Sequence, residues 1–210
     1  MRALILVDLQ NDFMPGGALG VPHADEILAD INKLIPKFDI VLATLDWHPA
    51  DHVSFASSHP GKKVGDVIPV KEIEQILWPV HCVRNTLGAE LVRALDKNQI
   101  ESLFYKGTDK EIDSYSAFFD NARGKSTGLD EFLTTREISE LYIAGVATDY
   151  CVLYSVQDAI SLGYDVVVVS DCCRGINLHP DDEKQAWKKM REIGASVMAS
   201  KEIRNEGENA

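Results

Sequence analysis

No apolar run in this chain reaches the roughly 18–20 residues that a membrane-spanning helix needs. Basic residues are scarce beside acidic ones: 21 Lys and Arg stand against 33 Asp and Glu, a formal net charge of −12. That balance argues against nucleic acid and anionic membrane surfaces as partners, because both attract Lys and Arg patches. A small molecule is the expected partner, with the chain itself a monomer or a homo-oligomer. There are only four cysteines, Cys82, Cys151, Cys172 and Cys173, and none forms a C-x-x-C pair. A disulfide framework is therefore not expected, and a reducing, cytoplasmic setting is. The N-terminal MRALILVDLQNDF has the early Arg and apolar run of a secretory signal. Asp8 and Asp12 break that run and no small-residue cleavage site follows, so it reads as a first strand. Repeats and low-complexity tracts are absent. The 210 residues suit one domain over 1–210, ending in a charged tail from about 200 (KEIRNEGENA) that is expected to be solvated and partly disordered.

What is present is an alternation of short apolar runs with helical stripes. Strands are expected at 3–7, 40–45, 103–105, 141–144 and 166–169, with a weak one at 196–199. Their continuous apolar character fits strands covered on both faces. In 24–35, Ile27, Leu28, Ile31, Leu34 and Ile35 form one helical stripe. A second helix, capped by Thr148 or Asp149, would bury Val152, Val156, Ala159 and Ile160 and end at Gly163. A third would open at Pro180, turn Trp187, Met190 and Ile193 inward and stop at Gly194. Strand–helix alternation predicts an α/β fold: three layers, with a mainly parallel sheet flanked by helices. Residues 47–86, rich in Pro, Gly, His and Ser, and 107–126 interrupt it as long stretches with little periodicity. Loops of that length in a compact domain tend to carry function.

Chemically capable residues end the strands. Asp8 ends the first, Asp46 the second and Lys106 the third, while Cys151 follows the fourth at a helix start. In a parallel sheet these carboxyl ends share the edge where ligands bind. Cys151 by itself reads most simply as a core cysteine. Beside Asp8 and Lys106 it reads as a nucleophile, its thiol acidified by the helix terminus and by Lys106, with Asp8 as proton acceptor. Cys172 and Cys173 read as structural. Four of the six histidines, His48, His52, His59 and His81, fall in one stretch. Asp46 and His48 lie two apart in an extended segment and face one side. With His81 they make a donor set for zinc, iron, manganese or a similar divalent ion. Phe13, Trp47, Trp78 and Tyr115 lie in these stretches and could wall a pocket for a flat ring.

These segments also carry a family resemblance. VDLQNDF at 7–13, GGAL at 16–19, DWHPADHVSF at 46–55, WPVHCV at 78–83, YSAFFD at 115–120, GVATDYCV at 145–152 and DCCRGIN at 171–177 together span nearly the whole chain. It resembles the nicotinamidases (pyrazinamidases) of the isochorismatase-like cysteine hydrolases. GVATDYC carries the superfamily likeness, and DWHP with WPVHC narrows it. The resemblance implies a triad of Asp8, Lys106 and Cys151. It also implies a cis peptide before Ala147, and an oxyanion hole from the Ala147 and Cys151 amides. A divalent metal, zinc in first place and iron or manganese otherwise, would be held by Asp46, His48 and His81. His52 matches a metal-site histidine of some members, either ligating or standing behind the ligands. Substrate contacts are expected from Phe13, Leu19, Trp78, Tyr115, Val146, Ala147 and Tyr150. The implied reaction is nicotinamide hydrolysis in the recycling of NAD breakdown products. The rival readings are another small-amide hydrolase of the superfamily and a non-enzymatic metal or redox protein.

Overall fold

The computed structural model describes residues 1–205. Its centre is a six-stranded sheet of β1 (Arg2–Val7), β2 (Ile40–Asp46), β5 (Ile100–Lys106), β6 (Glu140–Val146), β7 (Asp165–Arg174) and β8 (Ser196–Met198). The order is β5-β2-β1-β6-β7-β8, and every pairing is parallel. β1 shows why two helical layers are needed. Leu4 and Leu6 pack to one side with Ile27, Ile31 and Leu34. Ala3, Ile5 and Val7 pack to the other with Leu133, Val156 and Met190. Successive side chains of a strand point to opposite faces, so an all-apolar strand must be covered twice.

The first layer is α1 (Leu28–Leu34), extended at both ends by tighter 3₁₀ turns over Ala24–Ile27 and Ile35–Lys37. The second holds α2 (Leu129–Thr135), α3 (Leu153–Ser161) and α4 (Asp182–Glu192). Gly163 and Gly194 follow α3 and α4 with φ of +95° and +108°, the left-handed conformation that closes a helix most easily at glycine. Trp187 and Ile193 are only partly buried, and Ala186 and Met190 supply the buried face of α4.

Two elements escape the sequence pattern. α2 has only two buried apolar residues, Leu129 and Leu133, too few to show a periodicity. Within 47–86, β3 (Val67–Val70) pairs antiparallel with β4 (Ile73–Ile76) in an isolated hairpin. The expected charged tail is docked in its first part. Ile203 is buried, and Lys37 Nζ donates to the carbonyls of Ser200 and Ile203 at 3.2 and 2.7 Å. Residues 206–210 lie outside the described residues. No helix is long and apolar enough to cross a membrane among the described residues.

Candidate active site

The four strand-end residues meet at the carboxyl edge, in the spatial order Lys106 (β5), Asp46 (β2), Asp8 (β1) and Cys151 (after β6). Lys106 is fully buried and reaches across its neighbours. Its Nζ forms an ion pair with Asp8 Oδ2 at 2.8 Å, pairs with Asp46 Oδ1, and lies 3.1 Å from the Ser114 carbonyl and 3.4 Å from Cys151 Sγ. Only a long unbranched cation can pass two strand ends and still touch a sulfur. A carboxylate oxygen of Asp8 and the Cys151 sulfur lie within 4.8 Å of each other.

The surroundings decide where protons reside. Burial pulls on the Lys106 ammonium, but Asp46, Asp8 and Cys151 outweigh it and hold its pKa well above the ordinary lysine value. Burial likewise acts to raise Asp46, yet Lys106 and the two histidines keep that carboxyl well below the usual range. Asp8 moves the other way. Its burial is complete, and this together with the nearby Asp46 charge raises it despite Lys106. Burial also pushes the Cys151 thiol well up, with Lys106 opposing and Asp8 and Asp46 reinforcing. This corrects the expectation of an acidified thiol: in a site this dry, desolvation exceeds the single cation's pull. The site thus pairs a protonated thiol with a carboxyl of enhanced proton affinity.

The turn carrying Cys151 also differs from an ordinary helix start. Val146 and Ala147 are joined by a cis peptide. The Ala147 carbonyl accepts from the amides of Tyr150 (3.0 Å) and Val152 (3.1 Å), closing a wide π-type turn over Thr148–Val152 before α3 begins. Such turns concentrate at functional sites. Neither expected capping residue caps α3. Thr148 Oγ1 donates to Glu183 at 2.8 Å, and Asp149 accepts the Ile176 and Asn177 amides at 2.9 and 2.7 Å.

Beside the triad, Asp46 Oδ2 lies 3.5 Å from His48 Nε2 and 3.7 Å from His81 Nε2. Both rings are anchored from behind: His48 Nδ1 is 2.9 Å from the Gly107 carbonyl and His81 Nδ1 is 2.8 Å from the Pro79 carbonyl. That leaves each Nε2 lone pair aimed inward, the tautomer a metal requires. His48 Nε2 is buried without a hydrogen-bond partner, and the three donor atoms lie within 4.8 Å of one another. A cluster of one carboxylate and two imidazoles with an orphaned nitrogen fits a divalent ion of the zinc, iron or manganese type. Gly107, at φ +62°, allows this packing, since a Cβ there would overlap the His48 ring. His52 stands behind His48, ring centroids 4.3 Å apart. Its nitrogens are engaged by Ser54 Oγ at 2.7 Å and the Ile112 carbonyl at 3.2 Å. Burial, reinforced by His48, brings its pKa down to about 4, so it stays neutral. His59 is turned to the Val53 carbonyl at 2.7 Å and takes no part.

A cavity opens between Cys151 and the Asp46–His81 pair. Of the expected wall, Phe13, Leu19, Trp78, Tyr115, Ala147 and Tyr150 line it. Trp78 donates its indole N–H to Tyr115 Oη at 3.0 Å and meets Tyr150 edge-on at 5.0 Å. Two expected residues lie elsewhere. Val146 is fully buried in the layer with α1, because the strand's alternation turns it into the core. Trp47 packs on Tyr105 outside the cavity, ring centroids 5.1 Å apart. Val21, Ile176 and Asp113 line the wall without having been singled out. Asp113 carries no distinguishing sequence signal, being one of three acidic residues in 109–113, DKEID. The three other cysteines are buried and free. Cys172 and Cys173 face opposite layers, and Cys82 turns into the core while His81 faces Asp46.

Comparison with known proteins matches this arrangement to one family. The isochorismatase domain profile covers residues 2–202. The chain is 47% identical over 206 residues to a nicotinamidase of Escherichia coli (strain K12), spanning 93% of each chain. A solved nicotinamidase/pyrazinamidase of Acinetobacter baumanii aligns with a TM-score of 0.94 and 40% identity, over 96% of this chain and 97% of that one. The pyrazinamidase of Pyrococcus horikoshii, solved in complex with zinc, aligns with a TM-score of 0.77 and 36% identity, over 94% and 98%. With its profile match running almost end to end, the chain belongs to the isochorismatase family.

Proposed function

We propose that this protein hydrolyses nicotinamide to nicotinate and ammonia, and accepts pyrazinamide in the same pocket. The observation that carries the reading is the single ammonium of Lys106, in contact with Asp8 and buried behind Asp46 and Cys151, which line an aromatic-walled cavity. The relatives named nicotinamidase and pyrazinamidase, alike over nearly the whole chain, support the choice of amide.

In this reading Phe13, Trp78, Tyr115 and Tyr150 hold the ring, with Leu19 closing one side. Asp46, His48 and His81 would hold a divalent ion, zinc in first place. When bound, that ion supplies a Lewis-acidic seat for the pyridine nitrogen. Asp8 takes the proton of the Cys151 thiol as sulfur attacks the carboxamide carbon, so no free thiolate need accumulate in the dry site. The amides of Ala147 and Cys151 receive the oxyanion. The carbon–nitrogen bond breaks, Asp8 returns its proton to the departing ammonia, and a thioester remains on Cys151. Water then yields a proton to Asp8 and attacks the thioester. Nicotinate leaves, and the sulfur regains its proton from Asp8. Lys106 stays charged throughout, holding both carboxylates and stabilising negative charge at sulfur. The product feeds NAD salvage in the cytoplasm.

The test is ammonia release from nicotinamide by purified protein, before and after chelator treatment. Release that disappears with the metal and returns with added zinc supports both parts. Absence of release from zinc-loaded protein rejects nicotinamide, and substantial residual turnover in Cys151→Ala rejects the nucleophile.

A further inference from the structure

The backbone pairing of β1 with β2 ends at Leu6 and Ala43. Beyond it, side chains continue the ladder in both directions. From β2, Thr44 Oγ1 accepts the Asp8 amide at 3.3 Å and donates to Asp8 Oδ1 at 2.7 Å. From the extension of β1, Gln10 returns the grip. Its Oε1 accepts the Asp46 amide at 2.9 Å, and its Nε2 donates to the carbonyls of Asp46 and Ala89, both at 2.8 Å. Thr44, Gln10, Asp8 and Asp46 are all buried. A carboxamide offers the same donor and acceptor as a peptide group, so Gln10 stands in for a missing strand. It satisfies an N–H and two C=O groups that would otherwise be buried unpaired. Asp8 holds a left-handed φ of +53°, which a non-glycine residue keeps only where its surroundings fix it. Thr44 supplies that fixing and leaves Oδ2 for Lys106.

We infer that Thr44 and Gln10 are two separate positioning residues. Thr44 aims the Asp8 carboxyl at Cys151, and Gln10 aims the Asp46 carboxyl at His48 and His81. Each carboxylate is gripped from the other's strand, and each grip serves a different centre. The inference rests on the functional reading above, and it predicts a double dissociation that a general loss of stability would not produce.

Thr44→Val keeps the shape and removes the hydroxyl. It should lower kcat for nicotinamide about 100-fold with KM within about twofold, the signature of a misaimed group rather than lost binding. Thr44→Ser should restore most of the rate. Zinc retention against a chromophoric chelator should match the parent protein. Gln10→Met should give the converse, releasing zinc at roughly 10–100-fold weaker chelation, with folding checked by circular dichroism. If Gln10→Met does not fold, Gln10→Glu keeps the acceptor for the Asp46 amide, removes both donations and should show the same release. Three results would overturn the inference: a folded Gln10 variant that holds zinc like the parent, an undiminished kcat in Thr44→Val, or loss of both properties together in either variant. A parent protein that binds zinc but leaves nicotinamide intact would sink the functional reading instead. The Thr44 arm is then read from the rate at which iodoacetamide labels Cys151, which Thr44→Val must change for the inference to stand.

Discussion

Inside the sheet, β1 and β6 bury almost nothing but aliphatic side chains, and polar groups appear only where strands end: Asp8, Thr44, Asp46 and Lys106. The two long excursions, 47–99 and 107–128, mix apolar and polar burial. They bury His48, His52, Ser54, Gln75, His81, Asp113, Ser114 and Ser116, and tie them by side-chain and backbone hydrogen bonds. The sheet is held by area removed from water, which is forgiving of detail. The excursions bury apolar side chains too, Phe55, Leu77, Val92 and Phe118 among them, but they add polar groups that each need a particular partner, where a lost partner leaves a buried group exposed to its full desolvation cost. Damage should therefore appear as stability in one region and as site geometry in the other.

The largest effect tests the first half of that contrast. Leu133 is fully buried in the helical layer away from the catalytic edge. Leu133→Ala should lose about 2–5 kcal/mol of stability, measured by urea unfolding, with zinc retention and KM per folded molecule unchanged. A drop in zinc affinity there would break the separation. Next comes Gly107→Ala, one methyl group in an excursion. Its Cβ would collide with the His48 ring at a backbone angle that already disfavours alanine. Zinc affinity should fall roughly 10–100-fold, the usual scale for disturbing a ligand's support, and unchanged zinc binding would show the excursion to be softer than argued. The smallest effect concerns the seam between the regions. Burial holds the Cys151 thiol above its ordinary pKa. Only thiolate alkylates, so its fraction falls about tenfold for each pH unit below the pKa. Iodoacetamide labelling of Cys151, followed by mass spectrometry, should rise through pH 9. A rate that levels off below pH 8 would mean Lys106 outweighs desolvation.

The same division decides what could be read before folding. Apolar runs marked all six strands of the sheet, although Ile100–Ser102 and Ser170–Arg174 extend them beyond the apolar stretch. The parallel topology followed from the alternation, and the convergence of Asp8, Asp46, Lys106 and Cys151 followed from the topology. The hairpin of β3 and β4 leaves no clear trace, because its one buried residue is the polar Gln75 and its apolar residues are only partly buried or exposed. Gln10 and Thr44 were invisible for another reason. Their meaning lies in partners 36 residues away, which no local period encodes. Val146, next to the cavity-lining Ala147 in sequence, is the last residue of β6 and continues the core row of Tyr142 and Ala144.

Four neighbouring strands, β5, β2, β1 and β6, each contribute one member of the reacting set at the same edge. Adjacent strands lie about 4.8 Å apart wherever the peptide ladder forms. The backbone thus works as a ruler whose graduations are independent of what joins them. Connections at the opposite edge can lengthen at their exposed residues, such as Asp39 and Glu137, without altering the spacing of the reactive groups. A deletion inside any of the four strands cannot be absorbed in that way, for it shifts one graduation and reverses every side chain beyond it.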